Sequence, residues 1–320
     1  MINRPKILMH TYRGPSSVGQ SWWESLCYKL AHHSFIPLDA STVEGQKDAP
    51  LDQVFSELPD LLFLYWRWPF PEGTRKQEAY LRQQELLDFA LGARIPVLIL
   101  DGDLQPGVLD VADNLRRYDL KVVVAAPMLY PRAGYRQLFY PVSYVWPMPI
   151  AFPFQFKKYD FAYVGNDYRR YEQMQWYLNN PTHAGMDMRI WGNWLDYNEE
   201  AKLKKDFPYV KFMGRLPQDQ ILDILGPAYF TYHFAPPEYC DCGFVTMRWQ
   251  QAASSGTVAI LPNEFKASAT IRKLFSYQPE DFYSDGNLYR SIVNQQFSAI
   301  SSLSDFTQWK SLIHEMLGTK

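Results

Sequence analysis

The sequence predicts an α/β protein built as two doubly wound, Rossmann-like domains facing across a cleft. Three observations carry that expectation. Short apolar runs alternate with helix-period segments through the first half of the chain. A proline-rich connector at residues 140–149 interrupts the rhythm, and the same alternation restarts beyond it. The length agrees, since 320 residues suit two domains of about 150 each.

In order, residues 7–9 read as a buried-type strand. The polar stretch 12–20, with Gly, Pro and Ser, leads into an amphipathic helix at 21–33. The apolar run 61–65 is a strand that enters the loop Trp66-Arg-Trp-Pro-Phe-Pro-Glu-Gly73, and a strongly patterned helix follows over 75–92. The strand 95–100 ends in Asp101-Gly-Asp103, and 121–126 is a further strand. We place the domain boundary in the connector, giving domains over 1–150 and 151–304. In the second, strand 161–164 ends in Gly165-Asn166 before a helix to about 179. Strand 188–191 ends in Gly192-Asn193, and strand 210–213 is closed by Gly214. Helices are expected near 218–226 and 244–255, with Gly256 ending the second and a strand over 257–261. A last helix over 305–317 is expected to pack back on the first domain.

The composition, 47% hydrophobic and 21% charged, is that of a folded soluble protein. A net charge of −2 lacks the basic excess of a protein held to nucleic acid mainly by charge, so any such contact needs a local patch. Aromatic residues reach 16%, enough to line a cleft that stacks planar ligands as well as to fill a core. Cys27, Cys240 and Cys242 do not make a disulfide framework. Cys240 and Cys242, even with His233 as a third ligand, fall short of four-ligand zinc spacing, so no metal site is expected. No apolar run is long enough to span a bilayer, a strand already begins near Lys6, and a reducing cytoplasm fits best.

The richest stretch is 239–263. A polar loop from Tyr239 to Gly243 is expected to open onto a helix carrying Arg248. A helix N-terminus offers backbone N–H groups and a positive dipole end, and an arginine fork suits phosphate oxygens. Gly165-Asn-Asp-Tyr-Arg-Arg170 repeats the strand–loop–helix plan with two adjacent arginines. Together the two units suggest a seat for a diphosphate. Asp101 and Asp103, at a strand's carboxyl end, are candidates for a general base, and the spacing does not choose between them. One tryptophan of Trp66-Arg67-Trp68-Pro-Phe70 is expected in the core. The remaining rings with their arginine suit holding an unstacked base, or equally a sugar.

On these residues the second half resembles the bacteriophage DNA β-glucosyltransferase family, whose architecture is GT-B. The matching blocks are Tyr163-Val-Gly-Asn166, the arginines and helix end Gln175-Trp-Tyr-Leu178, Ile190-Trp-Gly-Asn193, and Lys211-Phe-Met-Gly-Arg-Leu-Pro217. The longest runs from Gly243 through Arg248 and Gly256 to Asn263-Glu-Phe265. Order and spacing agree over about 160–266. The first half is similar more loosely, through Pro15-Ser-Ser17 and the loop at 66–73.

The resemblance implies transfer of a sugar from a UDP-sugar to a hydroxymethylated pyrimidine, such as 5-hydroxymethylcytosine, in double-stranded phage DNA. A polysaccharide or protein acceptor, or nucleotide-sugar binding without turnover, are the alternatives. It implies an N-terminal acceptor domain and a C-terminal donor domain. Asn166, Arg169 or Arg170, Tyr239, Gly243 and Arg248 would hold the diphosphate, with Ser17, Val18 and Gly19 also at the donor. Gly214, Arg215 and Leu216 would face the uracil. Gln251 stands where the family has a glutamate on the ribose hydroxyls. Trp66, Arg67, Trp68 and Phe70 would meet DNA, and Asp101 or Asp103 would be the catalytic base. No tightly bound cofactor is implied, with Mg or Mn at most stimulatory. A monomer free of membranes, in the cytoplasm of an infected bacterium, completes the expectation.

Overall fold

In both halves of the chain, the inner strands, rich in β-branched, Leu and aromatic residues, are buried on both faces, as parallel strands require. The computed structural model describes residues 4–14, 18–67, 72–141, 156–217, 220–281, 283 and 285–319. It divides into two units, 1–145 with 304–320 and 146–303.

The first unit contains β1 (Lys6–His10), β2 (Tyr12–Arg13), β3 (Ile36–Asp39), β4 (Thr42–Val43), β5 (Leu61–Tyr65), β6 (Val97–Leu100), β7 (Val122–Ala126) and β8 (Tyr135–Gln137). Six form one parallel sheet in the order β3-β1-β5-β6-β7-β8, and β2 pairs with β4 alone. The order reverses between β1 and β5, the switch point beyond which ligands bind in doubly wound sheets. The helix Arg75–Ala93 starts where the Thr74 side chain accepts from the Gln77 amide, and it ends on a left-handed Arg94. Its Leu86, Leu87 and Ala90 bury against the sheet with Leu62, Leu64, Val97 and Ile99. The final helix, Phe306–Leu317, belongs to this unit. Its Trp309 indole donates to the Phe139 carbonyl at 2.7 Å and its ring lies 5.4 Å from Phe63.

The second unit contains β9 (Tyr159–Val164), β10 (Met188–Trp191), β11 (Val210–Phe212), β12 (Ala228–Tyr232) and β13 (Val258–Ile260). All pair in parallel in the order β11-β10-β9-β12-β13, with the switch point between β9 and β12. Phe161, Tyr163, Phe230 and Tyr232 pack with Met174 and Leu178 of the helix Tyr171–Leu178. Ala162 and Val164, on the alternate positions, pack with Ile221 and Leu225. Lys157 pins the start of this unit. Its ammonium donates to the carbonyls of Gly226, Ala228 and Gly256 at 2.6, 2.8 and 2.9 Å and lies 5.1 Å from the Tyr289 ring. Gly226 and Gly256 cap the carboxyl ends of two helices, where a cation is favoured, although desolvation lowers the lysine to about 7.

Several elements differ from expectation. The first helix spans Val18–His32, so Val18 and Gly19 form its first turn rather than a loop. Residues 239–243 are not an open loop. Tyr239 lies within the helix Pro237–Cys242, Gly243 is its left-handed cap (φ 61°), and the Arg248 helix begins only at Met247. Strands β3, β8 and β12 and the helices Val108–Arg117 and Gly286–Leu303 were not expected. Among the described residues no helix is long and apolar enough to cross a membrane.

Candidate active site

In the first unit, β6 delivers Asp101 into the turn that follows it. The residue is fully buried (0% exposed) and its carboxylate organises the turn. Oδ1 accepts the amides of Gln105 at 2.9 Å and Asp103 at 3.3 Å, and Oδ2 accepts the Tyr135 hydroxyl at 2.8 Å. Desolvation raises its pKa to about 6 against the pull of these donors. Asp103 turns outward, its side chain 45% exposed, with Oδ2 3.8 Å from Arg67.

Aromatic side chains hold this turn from below. The Tyr140 hydroxyl donates to the Gly102 carbonyl at 3.1 Å and lies 3.4 Å from the Tyr65 hydroxyl. The ring of Trp22 packs on both tyrosines, with centroids 5.2 and 5.4 Å away. A Cβ at Gly102 would come within 2.1 Å of the Tyr65 hydroxyl, so only glycine lets the turn approach. Gln83, buried in the helix Arg75–Ala93, brackets Arg67: its amide accepts from the Arg67 N–H at 3.0 Å and donates to the Arg67 carbonyl at 3.1 Å. The Arg67 guanidinium lies 4.6 Å above the Tyr65 ring.

In the second unit, two guanidinium groups gather beyond the β9/β12 switch point. Arg170 turns inward, donating to the Tyr163 hydroxyl at 3.0 Å and the Asn166 carbonyl at 3.3 Å, while its Nε is buried without a partner. Arg248 sits in the first turn of the helix Met247–Ser255, where the Thr246 hydroxyl caps its amide. Its Nη1 donates to Gln251 Oε1 at 2.6 Å. Burial, with repulsion from Arg170, lowers Arg248 to about 10. His233, buried between them, is pushed down to about 3 by desolvation and then by Arg170, so its ring is neutral and Nε2 lacks a partner. Among the described residues neither guanidinium pairs with a carboxylate. Two half-buried cations without a counter-ion strongly favour an anion.

The loops around this cluster are locked backbone to backbone. Gly192, at φ 154°, leaves only 2.3 Å between a would-be Cβ and the Gly165 carbonyl. Asn166 Oδ1 accepts the Asn193 amide at 2.8 Å, and the Gly192 amide donates to the Gly214 carbonyl at 2.8 Å. The arms after β9, β10 and β11 therefore form one rim.

Not every expected residue joins these sites. Arg169 takes a left-handed backbone (φ 61°) and points outward to Glu238 at 2.6 Å, leaving Arg170 as the inward arginine. The Gly243 amide is engaged in its helix cap, and Tyr239 packs 4.3 Å from Phe244, so neither offers a free loop amide. Gln251 is 0% exposed and already holds Arg248, with only Nε2 unpartnered. Arg215 pairs with Asp196 at 2.7 Å, while Leu216 packs partly buried beside Gly214. Trp66 is a core residue at 2% exposure, with no surface left for DNA. Ser17, Trp68 and Phe70 lie outside the described residues. Cys240 and Cys242 donate their thiols to the carbonyls of Ala235 and Glu238, and no metal-binding group of side chains gathers among the described residues. Tyr135, Tyr65, Tyr140 and Gln83 are not singled out by the sequence, and His233 enters there only as a possible third ligand of a metal site that the spacing argues against.

No protein-family model and no curated protein sequence matches the chain. Solved structures do. T4 phage BGT in complex with UDP and Mn2+ superposes with a TM-score of 0.66 at 15% identity, over 98% of this chain and 99% of that one. An alpha-glucosyltransferase in complex with UDP and a 13-mer DNA containing a HMU base gives 0.68 at 11% identity, over 99% and 100%. An alpha-glucosyltransferase with UDP-glucose and DNA containing an abasic site gives 0.67 at 12% identity, over 97% and 98%. At these identities the likeness establishes the fold, the α/β GT-B architecture with two Rossmann-like sheets.

Proposed function

We propose that the protein transfers a sugar from a UDP-sugar to the hydroxymethyl group of a modified pyrimidine, such as 5-hydroxymethylcytosine, in double-stranded phage DNA. The observation that carries this reading is the Arg170–Arg248 cluster, two cations without a carboxylate at the switch point of a nucleotide-type sheet. The fold neighbours that bind UDP, UDP-glucose and DNA support it.

In this reading Arg170 and Arg248 hold the diphosphate and stabilise the charge that develops as UDP leaves. Asn166 joins them at the diphosphate, and the backbone around Gly214 and Leu216 faces the uracil. Asp101 serves as the base, since its raised pKa makes it more basic than an ordinary aspartate, whereas Asp103 is engaged with Arg67. One direct displacement inverts the anomeric centre. A divalent ion such as Mg or Mn would act by riding on the diphosphate and assisting its departure. The protein works as a monomer in the cytoplasm of an infected bacterium, and Arg67 faces the DNA.

The test is mass spectrometry of nucleosides from hydroxymethylated DNA incubated with the protein and a panel of UDP-sugars. A mass increase of one sugar on the modified pyrimidine is expected. Transfer only to carbohydrate or protein hydroxyls would transfer the assignment to those acceptors. In parallel, Arg248→Ala should weaken UDP binding by about 1.5–3 kcal/mol in calorimetry, the usual worth of hydrogen bonds to a charged group. Equal affinity in variant and wild type would remove the donor site from this cluster.

A further inference from the structure

The second unit holds a cavity that the proposed reaction leaves unused. Its volume is about 190 Å³, between the helix Tyr171–Leu178 and the segment 261–278, with Tyr232 of β12 beneath it. Successive side chains of a strand face opposite sides of the sheet. Tyr232 accordingly packs on Tyr177, ring centroids 5.3 Å apart, while His233, the next residue, packs on Trp249 at 5.0 Å. Neither Arg170 nor Arg248 lines the cavity, and every residue that does is uncharged.

The polar groups around it are hydroxyls and amides with hydrogen-bonding capacity left open. Tyr232 is 7% exposed, and its hydroxyl has no hydrogen-bond partner among the described residues. Asn263 and Gln278 are engaged through their backbone amides, by Tyr177 and Asp281, which leaves both side-chain amides open. Asn180 uses only Oδ1, on the Thr182 amide at 3.1 Å. The Tyr177 ring is fixed in place, its hydroxyl accepting from the Asn263 amide at 2.6 Å and donating to Glu264 at 2.9 Å. Beside it, the Trp176 ring is 81% exposed.

We infer that this cavity binds one ring of a neutral sugar, separately from the donor cluster. Its volume is well above the roughly 10–15 Å³ that one water needs and below the roughly 300 Å³ of drug-sized clefts, which suits a single saturated ring. A sugar ring has C–H groups on its faces and hydroxyls around its edge. The flat rings of Trp176 and Tyr177 suit the faces. The amides of Asn180, Asn263 and Gln278 and the Tyr232 hydroxyl between them donate and accept, as an edge of hydroxyls requires. A phosphate or carboxylate would find no counter-charge there, which sets an anionic ligand aside.

The test is an NMR titration followed at the Trp176 indole N–H, assigned by its absence from Trp176→Phe. The ligands are methyl α-glucoside, methyl β-glucoside and methyl arabinoside, each added with and without saturating UDP. At least one should give a saturable shift with a dissociation constant on the order of 1 mM, as expected for so small a ligand. UDP should leave that shift in place. Tyr232→Phe, which removes only a hydroxyl, and Asn180→Ala should each weaken sugar binding about 3- to 10-fold, the usual effect of one hydrogen bond. Both variants should bind UDP as the wild type does. A glucosylated oligonucleotide that competes for the signal would identify an attached sugar as the source, and one that does not would identify a free sugar. No saturable shift with any glycoside would overturn the inference, and so would binding unchanged in both variants. Loss of the shift on adding UDP would place the sugar in the donor site instead. Cytosine or uracil bound more tightly than every glycoside would overturn the class of ligand.

Discussion

Asp101 and the two arginines illustrate how single residues are set apart from their neighbours by burial rather than by type. Asp101 and Asp103 are two residues apart, yet one is sealed under three donors and the other meets solvent and Arg67. Because the pKa of Asp101 rises from 3.8 to about 6 on folding, the folded state holds a proton that the unfolded state releases. Its contribution to stability is present below the unfolded value and is lost as pH rises through about 6. Asp101→Asn cannot titrate, so it should gain on the wild type by up to about 3 kcal/mol near pH 8 and by nothing near pH 4. Urea denaturation at both pH values measures this, and a pH-independent gap would show that the carboxylate is not strained. The adjacent arginines separate in the same way. Arg170→Ala should cost about 1.5–3 kcal/mol of UDP affinity, while Arg169→Ala, whose side chain is 69% exposed and paired with Glu238, should change it by less than about 0.5 kcal/mol. The reverse order would place the diphosphate on the outer arginine.

At the scale of elements, close backbone approach shapes the strand-to-helix turns that hold the proposed site. The turn after β6 rests on Tyr65, which leaves no room for a side chain at Gly102. Tyr65 is itself buried beneath Trp22 and cannot swing away cheaply. Gly102→Ala should therefore displace Asp101 and Asp103 together, costing about 1–3 kcal/mol of stability and most of the turnover, while leaving UDP affinity unchanged because the donor cluster lies in the other unit. Chemical denaturation and calorimetry on one preparation separate these effects. A variant with full turnover would show that the turn tolerates a shift that the geometry forbids.

For the whole molecule, the division of labour between units predicts separable stability. The chain leaves the first unit near residue 145 and returns to it at Ser304, so the last helix completes a core begun at Lys6. Trp309, at 1% exposure, packs on Phe63 and donates to Phe139 from 170 residues away. Trp309→Ala should destabilise the first unit by about 3–5 kcal/mol. UDP affinity of the folded protein should be unaltered, since Arg170, His233 and Arg248 belong to the second unit. Two unfolding transitions in calorimetry, of which UDP raises only one and Trp309→Ala lowers the other, would be the outcome. A single transition moved by both would mean that the units unfold together.

The α/β class, the positions of most strands along the chain and the turns at 101–103 and 165–166 are legible in local residue patterns. Apolar runs such as 61–65 and the glycines at 165, 192 and 256 are local signals: period, propensity and a required backbone angle act within a few residues. Local signals also misled. Residues 239–243 read as a polar loop, but Pro236 and Pro237 start a short helix there whose Cys240 and Cys242 are buried. The helix Gly286–Leu303 carries Tyr289, Ile292, Val293 and Ile300 at helical spacing on its buried face, a pattern diluted by its many Ser, Asn and Gln residues. It is the folding of distant segments that buries Asp101 while leaving Asp103 exposed, and that turns Arg170 inward and Arg169 outward. It also brought Tyr135 onto Asp101 across 34 residues, and His233 between Arg170 and Arg248. Those choices depend on desolvation and on partners distant in the chain, and neither is written in the spacing of the residues themselves.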